Sequence, residues 1–206
     1  MKLHKQLIMA VSLATMLSGT VQANDESLIP YISENNATGE IKRIYDEVKG
    51  AFGMIPAPIK QHSVSPELLK NHWDYFDVVS KNKNFTQKFL AIMRMSIASS
   101  GVFQQCDYCV DGNAMVLKSM FDMDDGLIKD IQNNPEKAKL DQREGLMLKF
   151  LLTSTKDPKS LTRSSFDQLR KSGWSDKDIF EGLKMATQMV AAIYMVNSLK
   201  IPSNFN

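Results

Sequence analysis

Residues 86–98, TQKFLAIMRMSIA, constrain the fold of this chain most tightly. Apolar side chains occur nearly all round its helical wheel, the pattern of a helix buried on every side. Such a helix has to be wrapped, and the flanking sequence supplies further helices rather than strands. Residues 40–52 carry Ile41, Ile44, Tyr45, Val48 and Phe52, an i, i+3, i+4, i+7 stripe. Gly53 ends it, and Pro56 and Pro58 of MIPAP predict an extended connector. Ser65-Pro66-Glu67 reads as a helix start, with a capping hydroxyl, proline at N1 and an acid in the first turn. Its inner face is expected to be Leu69, His72, Trp73, Phe76 and Val79, and SKNKN (80–84) ends it.

Later segments keep the same period. Val110, Leu117 and Met120 predict a helix over 106–121, and Leu127, Ile128 and Ile131 mark a shorter one. LMLKFLLTST (146–155) follows, then FDQLR behind Thr162, stopping at Gly173. Ser175 to Asp178 is a capping signal for the long helix 179–199, which Pro202 closes. No alternating strand pattern, internal repeat or low-complexity tract interrupts the series. The expectation is one all-α domain over residues 24–206.

The first 23 residues read differently. Lys2 and Lys5 form a basic start, residues 7–17 an apolar run, and Val21-Gln22-Ala23 a small-residue cleavage site. This is the pattern of a secretory signal peptide over 1–23, which predicts a periplasmic or secreted protein. The run is shorter than the roughly 20 apolar residues of a membrane span. No later stretch is expected to be long enough to span either, so the mature chain is expected to be soluble. Removing Lys2 and Lys5 turns the formal charge of +2 into zero. That balance gives no electrostatic reason to expect nucleic acid as a partner. Two cysteines and two histidines, His62 and His72, are then left in an oxidising compartment.

Cys106-Asp107-Tyr108-Cys109 is the one strong chemical signal. Positions i and i+3 share a helix face, so the two sulfurs can meet. A cysteine in the first turn has free N–H groups and the helix dipole to stabilise its thiolate. The second thiol can then resolve whatever forms on the first. A redox-active dithiol is the favoured reading, with three others open. A structural disulfide would close so short a loop for only about 2 kcal/mol. A structural zinc site would need four ligands, and the chain offers two cysteines and two distant histidines. Two inert core thiols are the third, although Asp107, Asp111 and Asn113 suggest partial exposure. No cofactor or metal is expected.

Val110 and Asn113 share the cysteine face. Asn113 can hydrogen-bond a sulfur, a water or a peroxide oxygen, or else satisfy a helix contact. His72 borders an apolar face and is a supporting candidate for proton transfer. His62, in the loop-like QHSVS, is a weaker one. The 13 methionines mostly fall in apolar stripes and read as core, while Met93 and Met95 are oxidation liabilities.

CDYCVDGN resembles the C-x-Y-C-V-x-x-H signature of the carboxymuconolactone decarboxylase superfamily, in its alkylhydroperoxidase D-like (AhpD-like) branch. The likeness extends over about 38–200, through GEIKRIYDEVKGAFGMIPAPIKQHSVSPELLKNHWDYF and LTRSSFDQLRKSGWSDKDIFEGLKMATQMVAAIYMVNSL, down to Asn197. The resemblance implies an all-helical fold with the CxxC at a helix N-terminus, assembled as trimers or hexamers. It also implies peroxide reduction by thiols alone. Cys109 would attack the peroxide, Cys106 would condense with it to a Cys106–Cys109 disulfide, and an external dithiol would reduce the pair. Two positions depart from the pattern. Asn113 stands where the family has histidine, and no acid occupies 89–94, where the family glutamate falls.

The expected function is an exported thiol-dependent peroxidase in antioxidant defence, acting on a peroxide with an unidentified dithiol as reductant. A thiol–disulfide oxidoreductase with little peroxidase activity is the alternative. A non-catalytic binding protein with a structural bridge is the third reading.

Overall fold

The computed structural model describes residues 27–101, 104–203 and 205, so the predicted signal peptide lies outside the described residues. Among these residues there are helices and no strand, as the sequence periodicity predicts. In chain order they are α1 (Gly39–Phe52), α2 (Ala57–His62), α3 (Pro66–Ser80), α4 (Gln87–Ser99), α5 (Asp107–Phe121), α6 (Asp125–Asn133), α7 (Gln142–Lys156), α8 (Arg163–Lys171) and α9 (Asp176–Ser198).

Helix α4 is the axis. Phe89, Leu90, Ala91, Ile92, Met93, Met95, Ser96, Ile97 and Ala98 are all buried, and α5, α6, α7 and α9 pack round them. Thr86 starts the helix by accepting the Phe89 N–H at 3.1 Å. Asp141 caps α7 through the Glu144 N–H, and Ser175 and Asp178 cap α9 reciprocally. Trp174, 2% exposed, seals the α7–α9 end. It stacks on Phe85, donates to the Arg143 carbonyl at 3.0 Å and lies under the Arg143 guanidinium.

A second, smaller apolar cluster holds α1 to α3 together through Ile41, Ile44, Tyr45, Val48, Ile59 and Leu69. The two clusters meet along α3, where Phe76 belongs to the smaller and Tyr75 packs on the larger.

Local details differ from the sequence expectations for physical reasons. Phe52 is 53% exposed and lies edge-on to Trp73, because α1 ends there and Gly53 turns the chain at φ 75°. The predicted extended connector stops at Pro56, since Pro58 lies in the first turn of α2, where its missing N–H costs nothing. His62 is therefore helical rather than in a loop. Ser65 precedes α3 without capping it through its hydroxyl. The expectation that no later stretch is long enough to span is corrected by α9, whose 23 residues are long and apolar enough to cross a membrane by length and composition alone. Its Ile179, Met185, Ala186, Met189, Ile193 and Val196 are buried, and it packs against α4 and α7 as a core helix does.

Truncation at the centre of α4 tests this packing. Ile92→Ala should cost about 2–5 kcal/mol and lower the melting temperature by roughly 5–15 °C in a thermal scan. The same truncation at exposed Val78 should move it by no more than a degree or two, about 0.5 kcal/mol.

Candidate functional site

The CxxC stands where α4 hands over to α5. The Cys106 N–H donates to the Ala98 carbonyl at 3.4 Å, pinning the loop end to the last turn of α4. Cys106 is the N-cap residue of α5, and its Sγ accepts the Cys109 N–H at 3.3 Å. A sulfur in that position receives a backbone donor and the positive end of the helix dipole, so negative charge there is stabilised. Cys106 and Cys109 are joined as a disulfide with a Cα–Cα distance of 5.2 Å. Cys106 is fully buried and Cys109 is 6% exposed, so access is narrow.

Three contacts fix this turn from outside. The Tyr108 hydroxyl accepts the Ala57 N–H at 3.1 Å, tying α5 to the start of α2, and burial pushes the phenol up to about 12. Asn197 donates to the Gln105 carbonyl at 3.2 Å, so the end of α9 holds the residue before Cys106. The C-terminal tail lies over the next turn: Ser203 donates to Asp111 at 2.6 Å, and the Phe205 ring covers Tyr108 and Gly112. A side chain at Gly112 would run into that ring at 3.1 Å. The sequence displays Tyr108 and Asn197, but their partners are more than 50 residues away and invisible to local patterns.

Asn113 lies on the cysteine face and its amide donates to the Cys109 carbonyl at 2.7 Å, so its N–H₂ is turned to backbone rather than to sulfur. His72 is on α3, stacked on His62 at 4.2 Å and edge-on to Phe76 at 5.2 Å. His62 in turn donates from Nδ1 to the Pro58 carbonyl. Burial, then the neighbouring His62, lowers His72 to about 4, which keeps it neutral at pH 7. Val110 is buried beside the disulfide. No three or more His, Cys, Asp or Glu side chains converge as a metal site among the described residues.

One group near the site was singled out by no sequence argument. Arg94 follows Lys88 as the second cation of α4, and it lies over the Phe76 ring at 6.0 Å without a carboxylate partner among the described residues. Its sequence signal is a cation set between two methionines, Met93 and Met95.

No protein-family model and no curated protein sequence matches the chain. Solved structures do. The chain is similar to an AhpD-core, peroxidase-related protein of Ralstonia eutropha JMP134, at 20% identity and TM-score 0.74, over 88% of this chain and 94% of that one. The fold is that of the alkylhydroperoxidase AhpD core. A peroxidase-related protein of Silicibacter sp. TM1040 shares this AhpD-like fold at 16% identity and TM-score 0.72, over 90% and 96%. So does the debrominase Bmp8 in complex with 2,3,4-tribromopyrrole, at 15% identity and TM-score 0.62, over 85% and 92%.

Two measurements test the geometry around the cysteine pair and the histidine stack. Tyr108→Phe removes the acceptor of the Ala57 N–H and should cost about 1–3 kcal/mol, read as a lower urea midpoint with unchanged slope. His72 gives a pH dependence. Its folded value lies below the unfolded 6.5, so the unfolded chain binds the extra proton and stability falls as pH drops from 6.5 towards 4. His72→Phe should remove roughly 2 kcal/mol of that acid loss.

Proposed function

We propose that this protein is an exported, thiol-dependent peroxidase of the AhpD-like branch of the carboxymuconolactone decarboxylase superfamily. One observation carries the reading: a CxxC pair whose first sulfur caps the helix and accepts the Cys109 N–H, within an AhpD-core fold. The Cys109 thiolate, the attacking sulfur that the family likeness implies and the less buried of the two, attacks the terminal oxygen of a hydroperoxide and the O–O bond breaks. The leaving alkoxide takes a proton and departs as an alcohol, leaving a sulfenic acid on Cys109. The Cys106 thiolate attacks that sulfur, and hydroxide leaves with a proton as water. The resulting disulfide is returned to two thiols by two electrons and two protons from an external dithiol.

The surroundings set the rate and the substrate size. Asn113 is committed to the Cys109 carbonyl and His72 stacks on His62, so neither is poised as an acid or base at the sulfurs. Positioned general acid–base help is worth roughly 10²–10⁴-fold, so turnover is slower than in a site with a complete relay. The buried sulfurs favour a small molecule over a folded protein as the oxidant. The signal-peptide pattern supports a periplasmic or secreted location. Exposed Met115, Met120 and Phe180 offer apolar faces for the trimer or hexamer that the family likeness implies.

The test reduces the mature protein, adds one equivalent of cumene hydroperoxide and counts free thiols against time. The reading expects both thiols to disappear together, with the loss abolished in Cys109→Ser. Thiols that survive hydroperoxide for hours yet equilibrate promptly with oxidised glutathione would instead make the site a thiol–disulfide oxidoreductase.

A further inference from the structure

Arg94 is anomalous. It is flanked by Met93 and Met95, both fully buried, and is itself only partly exposed. No hydrogen-bond acceptor or carboxylate among the described residues meets its guanidinium, which has only the Phe76 face at 6.0 Å. Other arginines are treated differently: Arg43 and Arg170 each engage two carboxylates, and Arg143 reaches the Gly173 carbonyl and the Trp174 ring. A half-buried guanidinium with no protein acceptor gives up part of its hydration without replacement, and burial pulls its proton affinity below the ordinary value.

The neighbouring hydroxyl is also unsatisfied. Tyr75 interacts electrostatically with Arg94, and its buried hydroxyl has no hydrogen-bond partner. Both groups adjoin the Phe76 ring, Arg94 at 6.0 Å and the Tyr75 ring at 6.2 Å, where the larger and smaller apolar clusters meet. Lys184 adds a second cation, over the Tyr75 ring at 5.5 Å, and the His72–His62 stack adjoins Phe76 without adding charge at pH 7 from His72. Glu181 faces Tyr75 as well, but it is held by Lys177 at 3.1 Å and Asn82 at 2.6 Å. Arg94 is one helical turn, about 6 Å along α4, before Ala98, whose carbonyl holds Cys106.

We infer that Arg94 and the Tyr75 hydroxyl form a carboxylate-binding subsite beside the CxxC, taking an organic acid whose apolar body lies against Phe76. The subsite gives the proposed peroxidase a substrate class: a hydroperoxide carrying a carboxylate at its other end. A planar guanidinium binds carboxylate through two parallel N–H bonds, and the phenol adds a third donor. The apolar walls exclude water and strengthen those bonds. The part of the inference that concerns peroxide rests on the proposed function; the binding of an organic acid does not.

Octanoate separates the two, because it has the carboxylate and chain but no reducible bond. Calorimetry on the oxidised wild-type protein should show saturable octanoate binding, with octanol at least tenfold weaker. Arg94→Met should weaken octanoate at least tenfold while raising the melting temperature, since an unpaired charge is removed. Tyr75→Phe should weaken binding several-fold and Arg94→Lys partly restore it, whereas His62→Gln should leave it within twofold. Equal octanoate binding by wild type, Arg94→Met and Tyr75→Phe, or no binding at millimolar octanoate, would overturn the subsite. Arg94-dependent octanoate binding with thiols inert to cumene hydroperoxide would keep the subsite and remove the peroxidase. Thiol loss to cumene hydroperoxide without octanoate binding would do the reverse.

Discussion

Burial of α4 on almost every side is the constraint from which the rest of the molecule follows. A helix whose Phe89, Leu90, Ile92, Met93, Met95 and Ile97 all avoid water cannot sit at a surface, so other helices must enclose it. Helices α5, α6, α7 and α9 do this, and the site is a by-product of the enclosure. The chain leaves α4 at Ser99 and returns to it as α5. The Cys106 N–H is held by the last turn of one helix while the Cys106 sulfur caps the first turn of the next. A rigid hairpin of packed helices thus fixes the cysteine pair, and the pair costs the scaffold little to position.

The supports of that hairpin come from distant parts of the chain. Tyr108 reaches the start of α2, Asn197 comes from the end of α9, and Phe205 and Ser203 arrive from the tail. The contacts satisfy backbone groups of Ala57 and Gln105, hold the Asp111 carboxylate and cover the Tyr108 ring. Their combined effect is a dry, narrow site in which a thiolate is stabilised by main chain rather than by a side-chain base. Asn113 is held by the Cys109 carbonyl and no acid occupies 89–94, a stretch in which Arg94 stands as a cation.

Much of the architecture was legible because it is written in short-range periodicity. The 40–52 stripe, the all-round apolar α4 and the capping signal at Ser175 each specify an element through neighbours three or four residues apart. The CxxC was legible for the same reason. Errors arose where local rules met tertiary geometry: Phe52 completes a stripe at the last residue of α1, and Pro58 looks like a breaker until it is placed in a first turn. The partners of Tyr108, His72 and Arg94 were not legible at all. The two histidines are ten residues apart on different helices, and only packing stacks them. Arg94 carries no local sign of its neighbour either, because the Phe76 ring it meets belongs to α3.

The central claim is that Cys109 is the sulfur that peroxide oxidises, with Cys106 as the resolving partner. Mass spectrometry of reduced Cys106→Ser, treated with one equivalent of hydroperoxide in the presence of dimedone, tests it most directly. The account predicts a stoichiometric dimedone adduct on Cys109, because the sulfenic acid forms and has nothing to resolve it. No adduct there, with adduct forming instead on Cys106 in the Cys109→Ser variant, would contradict it.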